Sequence, residues 1–213
     1  MIVFILIIIG ILILSYLLGS IPTAYLVAKI RRGVDIRYVD VGNVGAGATF
    51  RQVGFLEGVI VLVVDIGKGA AAILIAQAVG LDSIYVYAAG FAALLGHCYP
   101  VWLKFHGGQG IATLIGIFLV LAPWATVVIL ALIGTAILVI RHLFTAVFIA
   151  GPFLPLMIWL FGGSLEVVLY SIVVIAFVVF KTIRRWKELP ENVGKTQKPD
   201  LKMSFKNLFR KKC

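Results

Sequence analysis

Charged residues are scarce in this chain, and acidic residues are the scarcest. Of 213 residues only 13% are charged, and Asp and Glu together number 9. A soluble globular domain carries about 25% charged residues, which cover its water-facing surface. This chain is instead 62% hydrophobic, and one soluble core of this size cannot hide so much apolar surface. The composition therefore indicates an integral membrane protein, because a bilayer accepts that surface.

The chain also has few of the residues that thiol and metal chemistry require. Cys98 and Cys213 are its two cysteines, and it has 3 histidines. Two widely separated cysteines do not make a disulfide framework, and no Cys/His set in the sequence has zinc spacing. The GxSxG and HExxH motifs are also missing from the sequence. We therefore expect no metal and no cofactor.

Long apolar runs dominate what is present. A run of about twenty apolar residues can cross the bilayer core as a helix. The sequence therefore predicts an all-α membrane protein with about seven transmembrane helices, of which the fourth is short enough to be a half-helix. Pro22 removes a backbone donor inside the first run and predicts a kink or break there. The seven runs span residues 2–30, 55–80, 84–105, 111–122, 124–140, 143–161 and 165–180.

Basic residues mark every second connection between these runs. Cytoplasmic loops are enriched in Lys and Arg, so the pattern predicts an outside N-terminus and a cytoplasmic C-terminus. The connections near Asp82, Pro123 and Glu166 hold no Lys or Arg. The odd-numbered connections hold Arg31, Arg32, Arg37 and Arg51 in the first, Lys104 in the third and Arg141 in the fifth.

The positive charge is concentrated at the C-terminal end. From Lys181 onward the chain has 11 Lys and Arg against 3 acidic residues. We expect residues 1–181 to form one polytopic membrane domain and residues 182–213 a basic cytoplasmic tail. A basic segment after a transmembrane helix favours contact with anionic lipid over nucleic acid. Residues 201–210 mix apolar and basic side chains, and both an interfacial amphipathic helix and a disordered tail remain open.

Two glycine-rich loops, at residues 33–54 and 106–110, are predicted on the cytoplasmic side. In the first, glycines allow tight turns, and free amides near Arg51 would suit an anion. A flexible connection is the alternative. In the second, four residues from Gly107 to Gly110 precede an apolar run. The start of a helix favours phosphate, although no Walker A lysine follows. Lys104 and Arg51 lie on the same predicted side and strengthen this interpretation.

A pair of opposite charges lies inside the second apolar run. Asp65 and Lys68 are three residues apart and share one helix face. A charge at the middle of a membrane helix costs about 2.5–3.5 kcal/mol on insertion scales, so such residues have a partner or a function. A structural ion pair and a functional pair are both open. His97 in the next run is placed to join them.

Several motifs occur in an order that resembles one family, the bacterial acyl-phosphate:glycerol-3-phosphate acyltransferases. The resemblance covers most of the chain and is more specific than any single glycine motif. The motifs are LGSIPTAYLVAKI at 18–30, GVDIR at 33–37, GNVGA at 42–46 with Arg51 and Gly54, DIGKGA at 65–70, LLGHCYPVWLKF at 94–105 and GGQGIAT at 107–113.

This resemblance implies a transferase that moves a fatty acyl group from acyl phosphate to the 1-hydroxyl of glycerol 3-phosphate. The product would be lysophosphatidic acid, made without metal, cofactor or acyl-CoA at the cytoplasmic face of a bacterial plasma membrane. Asp65 and His97 would be supporting residues, and His106 and Asn192 would be the catalytic candidates. The implied phosphate and substrate contacts are Asn43, Gly45, Arg51, Lys68, Lys104, Gly107, Gly108, Gln109 and Gly110.

The sequence also departs from the family pattern. Val41 stands where the family has serine, and Gln109 and His106 stand where it has lysines. The histidine that follows the family's last helix is missing, and Asn192 is the nearest match there. An alternative is therefore a catalytically weakened or inactive relative that binds lipid precursors or anions. A small transporter is a third hypothesis, with less support because the sequence shows no internal repeat.

Overall fold

The computed structural model describes residues 1–38, 44–141 and 143–187. Every regular element in these ranges is helical, and 3-10 turns at Ile36–Tyr38, Val101–Leu103 and Gly151–Phe153 join some of the α-helices. The α-helices are α1 (Ile2–Ser20), α2 (Thr23–Arg32), α3 (Ala46–Gln52), α4 (Phe55–Ala78), α5 (Ser83–Cys98), α6 (Ile111–Leu121), α7 (Pro123–Ile140), α8 (Leu143–Ala150), α9 (Leu154–Leu160) and α10 (Leu165–Lys187).

The predicted all-α membrane fold is confirmed. Five helical segments in the described ranges are long and apolar enough to cross a membrane. Two shorter apolar helices, Ile111–Leu121 and Thr145–Leu160, correspond to the fourth and sixth predicted runs. The count of seven crossings and the orientation of the termini stay predictions. The five long segments are Ile2–Arg32, Phe55–Ala78, Ser83–Leu103, Pro123–Ile140 and Leu165–Arg184.

The predicted interruption of the first run lies between α1 and α2. α1 ends at Ser20, and Pro22 is the N-cap residue of α2. Proline has no backbone N–H to continue the helical ladder, so backbone carbonyls near it are left for other donors. The Ile21 carbonyl accepts hydrogen bonds from the Thr23 amide at 2.9 Å and from Lys68 Nζ at 2.6 Å. The break thereby becomes a fixed part of the bundle.

Two pairs of helices pack closely through glycine residues. α1 packs on α5, and a Cβ atom on Gly19 would overlap the Ala93 carbonyl oxygen. α4 packs on α6 in the same way, with Gly69 against the Thr113 carbonyl. Small residues allow such close backbone approach in membrane bundles. The α1–α2 break, the middle of α4 and the end of α5 therefore meet in one region, which we call the polar end of the bundle.

The last helix is longer than the apolar run that predicted it. The run ends at Phe180, whereas α10 continues to Lys187. The length of an apolar run indicates which part of a helix contacts lipid. The helix can continue into polar sequence when the polar side chains there find hydrogen-bond partners. Thr182 is buried and its hydroxyl donates to the Val178 carbonyl at 2.8 Å. The predicted tail from residue 188 onward, including segment 201–210, lies outside the described residues.

Candidate functional site

A pocket of about 230 Å³ opens at the polar end of the bundle. It lies where the α1–α2 break, α4, the end of α5 and the loop before α6 come together. The position brings backbone groups of two glycines next to a buried acid and a buried imidazole. Its lining is Gly19, Ile21, Pro22, Thr23, Ala24, Val44, Asp65, His97, Pro100, Leu103, Gly107 and Gly108.

The buried charges at the wall of this pocket form an ion pair. Lys68 Nζ lies 2.6 Å from Asp65 Oδ1, and both side chains are almost fully buried. The same ammonium donates to the Ile21 carbonyl. His97 Nδ1 is 3.8 Å from Asp65 Oδ1, so the predicted association of the three side chains is present. Lys68 thus donates to two protein oxygens, and it links α4 to the α1–α2 break.

This ion pair gives a stability prediction. Lys68→Met leaves Asp65 as an uncompensated buried charge, and breaking a buried pair in this way costs about 3–5 kcal/mol. The double variant Asp65→Asn/Lys68→Met removes both charges and is expected to recover part of that free energy of unfolding. Thermal unfolding in detergent measures both variants. A double variant whose loss equals the sum of the losses of Lys68→Met and Asp65→Asn, each measured alone, would contradict the pairing.

The second predicted glycine loop forms the opposite wall. The Gly108 amide donates to the His97 carbonyl at 3.1 Å. A Cβ on Gly107 would overlap that carbonyl oxygen, and a Cβ on Gly108 would overlap His97 Nε2. The loop can lie against the end of α5 only because both positions lack a side chain. Its backbone therefore forms the surface that a ligand would meet.

The loop ends at the start of α6. Gly110 is the N-cap residue in a left-handed conformation with φ of 89°, which costs glycine little. Among the described residues, no side chain caps this helix. Its first amides and the positive end of its dipole therefore remain suited to an anion. Gln109 is buried, and its Oε1 atom has no hydrogen-bond partner in the described part of the chain.

The first glycine loop contributes Val44 and α3 to the same region. Val44 lines the pocket, and the Val44 carbonyl lies close to Gly108. Gly45 is the N-cap residue of α3, and Arg51 lies in the last turn of that helix. The Arg51 side chain is exposed and passes Gly47, with Nη1 3.6 Å from where a Cβ of Gly47 would be. Arg51 is thus an exposed cation on α3 that does not line the pocket.

The GVDIR motif fixes the start of this loop. Arg37 forms hydrogen bonds with both carboxylate oxygens of Asp35, the shortest at 2.6 Å. This contact holds the pKa of Asp35 below its usual value. The Arg37 guanidinium also lies over the Tyr25 ring, 5.3 Å from its centroid. Arg37 therefore ties the loop to α2.

Two predicted polar residues lie at an exposed turn. Lys104 and His106 are both exposed, and Lys104 has a positive φ of 53°. His106 Nδ1 lies 2.7 Å from the Lys104 carbonyl. A carbonyl only accepts, so Nδ1 donates and Nε2 is the basic atom of the neutral ring. His106 lies outside the pocket lining.

The structure brings together most but not all of the predicted site residues. Asp65, His97, Gly107 and Gly108 line one pocket, Lys68 is paired with Asp65 behind its wall, and Gly45 directly follows the lining residue Val44. Lys104 and Arg51 are exposed and do not line this pocket. Asn43 and Asn192 lie outside the described residues. No group of three or more metal-ligating side chains occurs within the ranges described.

One polar residue near the site was missed by sequence reasoning. Lys181 on α10 was counted only as the first charge of the basic tail. Its Nζ atom donates to the Cys98 carbonyl at 3.1 Å and lies 3.4 Å from the centroid of the Tyr99 ring. Apolar periodicity gives no signal for such a contact, because 83 residues separate the two partners. A charge directly at the end of an apolar run is the one available signal.

The fold and the pocket define a helical membrane protein with a glycine-lined, partly charged site inside the bundle. Comparison with known proteins gives the family. The model of the glycerol-3-phosphate acyltransferase family matches residues 9–191, and this chain belongs to that family. The sequence-based resemblance is thereby confirmed.

Individual relatives agree with the family model. The chain is 38% identical over 184 residues to the glycerol-3-phosphate acyltransferase of Endomicrobium trichonymphae, covering 85% of this chain and 92% of the relative. It is 39% identical to the enzyme of the same description from Geotalea daltonii, covering 85% of this chain and 94% of the relative. Both alignments therefore extend over nearly whole proteins.

A solved structure shares the fold. The glycerol 3-phosphate form of PlsY, an integral membrane glycerol 3-phosphate acyltransferase, superposes with a TM-score of 0.78 and is 32% identical. It covers 84% of this chain and 90% of its own length. The lysophosphatidic acid form of PlsY gives a TM-score of 0.75. The fold likeness thus accompanies clear sequence similarity.

Proposed function

We propose that this protein transfers a fatty acyl group from acyl phosphate to the 1-hydroxyl of glycerol 3-phosphate, giving lysophosphatidic acid. The reaction takes place at the cytoplasmic face of a bacterial plasma membrane. The observation that carries the proposal is the pocket between the α1–α2 break and the loop Gly107–Gly110. Its likeness to a protein solved with glycerol 3-phosphate and in a lysophosphatidic acid form supports it.

The phosphate-side residues follow from charge and placement. Backbone amides at Gly107–Gly110 and the start of α6 provide fixed donors, which stabilise an anion without reorganisation. Arg51 on α3 and Lys104, which follows the lining residue Leu103, are long, exposed cations and suit a phosphate that enters from water. Asn43 and Gly45 are proposed to complete the cradle from the first loop. Lys68 is proposed to act on the phosphate side through its positive charge, and it holds the α1–α2 break in place.

The chemistry needs little beyond positioning. The acceptor hydroxyl attacks the acyl carbonyl, a new C–O ester bond forms, and the bond to phosphate breaks with inorganic phosphate as leaving group. Acyl phosphate is a mixed anhydride, so holding both phosphates and aligning the hydroxyl can supply much of the rate. A base that takes the hydroxyl proton adds about 10²–10⁴-fold. His106 through Nε2, and Asn192 as a hydrogen-bonding group, are the proposed candidates.

A second, apolar cavity supports a long-chain acyl donor. It has about 700 Å³ and lies between α6, α7, the α8–α9 segment and α10. Its two threonines, Thr126 and Thr182, donate their hydroxyls to carbonyls of their own helices, so the cavity presents an apolar wall. Ile111, the first residue of α6, lines it directly after Gly110. A chain in this cavity would place its carboxyl end beside the glycine loop.

The cavity predicts a change in chain-length preference. Ile129 lines the cavity on α7, and Ile129→Trp would fill its middle. Each buried methylene contributes about 0.8 kcal/mol, so losing room for a few of them should shift the kcat/KM ratio from palmitoyl toward shorter acyl phosphates by about 100-fold. Leu138→Trp on the lipid-exposed side of the same helix is the matched control. An unchanged profile in the Ile129 variant would place the chain elsewhere.

Direct transfer tests the proposed function. Purified protein in detergent is given palmitoyl phosphate and labelled glycerol 3-phosphate without added metal, with a heat-treated control and a parallel reaction with palmitoyl-CoA. We expect labelled lysophosphatidic acid from palmitoyl phosphate and none from the thioester. Folded protein that makes no product from acyl phosphate would refute the proposal.

A weakened or inactive relative is the second candidate. The observation that favours it is Gln109, which occupies a lysine position of the family pattern and leaves a buried oxygen without a described partner. Replacing a charged donor removes an interaction of about 1.5–3 kcal/mol. Saturable binding of glycerol 3-phosphate without transfer would favour this candidate, and a Gln109→Lys variant with gained activity would support it further.

A further inference from the structure

The glycine loop lies against the end of α5, at the backbone segment Cys98–Tyr99. The Cys98 carbonyl and the His97 carbonyl fill the space beside Gly107. The His97 carbonyl also receives the Gly108 amide. The glycine loop therefore takes its position from the end of α5. Whatever holds Cys98–Tyr99 in place also holds the loop.

Side chains from the first and last membrane helices hold this segment. The Tyr16 hydroxyl on α1 donates to the Tyr99 carbonyl at 2.8 Å. Lys181 on α10 donates to the Cys98 carbonyl at 3.1 Å and lies 3.4 Å from the Tyr99 ring centroid. A cation suits the carbonyl end of α5, where the helix dipole is negative, and it is attracted by the aromatic face.

Residues next to Lys181 on α10 line the apolar cavity. Val178 and Thr182, three residues before it and one after it, line the apolar cavity. Within about one and a half turns, α10 therefore contributes part of the cavity lining and also the lysine that contacts Cys98–Tyr99. A shift of α10 would therefore move the cavity lining and the contact with Cys98–Tyr99 together. The hydrogen bond of Lys181 opposes such a shift relative to the end of α5.

We propose that Lys181 is a positioning residue, which ties α10 to Cys98–Tyr99 and so aligns the glycine loop with the apolar cavity. It acts through the backbone of the loop and is not itself a catalytic residue. The kinetic part of this inference rests on the proposed function, because alignment matters for rate only if both cavities hold parts of one reaction.

The kinetic test compares Lys181→Met with Lys181→Arg in the full-length protein. The methionine keeps the apolar stem and loses both the donor and the charge. We expect kcat/KM to fall about 10- to 100-fold, with the loss mainly in kcat because misaligned reactants still bind. Arginine keeps a donor and a cation over the ring and should recover most of the loss. Lys29→Met, an exposed lysine on α2, should leave activity unchanged.

A second measurement does not need activity. Amide hydrogen exchange is followed in a peptide that contains Gly107 and Gly108. In Lys181→Met this segment should exchange at least about tenfold faster than in the unchanged protein, and in Lys181→Arg it should stay protected. If the unchanged protein transfers no acyl group but exchange still rises, the proposed function fails and the anchoring role stands.

Two results would overturn the inference. One is a Lys181→Met protein with the original exchange rate at Gly107–Gly108. The other is a loss of activity that arginine does not restore at all in a variant with an unchanged unfolding temperature. If Lys181→Met does not fold, Tyr99→Leu replaces it, because that change removes the ring beneath the ammonium, and the same exchange increase is expected.

Discussion

Replacing Arg51 by alanine is expected to abolish acyl transfer while the protein stays folded in detergent. Arg51 is exposed in the last turn of α3, the helix that follows the lining residue Val44. A guanidinium can hold phosphate through two parallel hydrogen bonds. Loss of one donor that stabilises transition-state charge costs about 10²–10³-fold in rate. Turnover of lysophosphatidic acid by the purified variant measures the effect.

Arg51→Lys separates charge from geometry. Lysine keeps the positive charge but not the planar pair of donors, so we expect activity between the unchanged protein and the alanine variant. Arg141→Ala removes an exposed arginine in another connection and should leave turnover unchanged. Unaltered turnover in Arg51→Ala would remove Arg51 from the site, whatever the family likeness.

Gly107→Ala is expected to have an equally large effect for a steric reason. A Cβ at this position overlaps the His97 carbonyl oxygen and also approaches the Cys98 carbonyl at 2.8 Å. These are backbone atoms at the end of a packed helix and cannot rotate away, so the loop itself must shift. A displacement of 1 Å in a positioned reactant can cost about 10²-fold. We therefore expect transfer to fall at least that far.

Gly67→Ala provides the matched control. A Cβ on Gly67 in α4 meets no atom within 4 Å, and alanine in a helix interior is favoured over glycine by about 0.5–1 kcal/mol. That variant should be as stable as the unchanged protein and fully active. Full activity in Gly107→Ala would show that the loop can move away from α5 without loss of transfer. That result would contradict a role for the position of this loop in the site.

Sequence reasoning predicted the elements well because apolar length is a local property. The second apolar run, 55–80, became α4 over Phe55–Ala78, and the break at Pro22 appeared as a helix boundary. Boundaries failed where polar residues extend a helix, as in α10 beyond Phe180. Hydropathy reports contact with lipid, and it carries no information on where hydrogen-bonded turns continue into polar sequence.

The site was predictable in its parts but not in its assembly. The spacing of Asp65 and Lys68 indicated an ion pair, and the glycine pattern at 107–110 indicated a phosphate loop; the pair is present at 2.6 Å. The sequence did not show that Lys68 also holds the Ile21 carbonyl. Nor did it show that the space beside Gly107 is filled by the His97 carbonyl.

The amino-acid sequence by itself determined the membrane class, the helix content and the family, because composition, run length and ordered motifs are local or cumulative features. Only the tertiary structure decided that Lys68 donates to the Ile21 carbonyl, that the glycine loop lies against the end of α5, and that Lys181 donates to the Cys98 carbonyl. The two lysine contacts link residues 47 and 83 positions apart. Their geometry depends on how closely the helices pack, which no single stretch of sequence specifies.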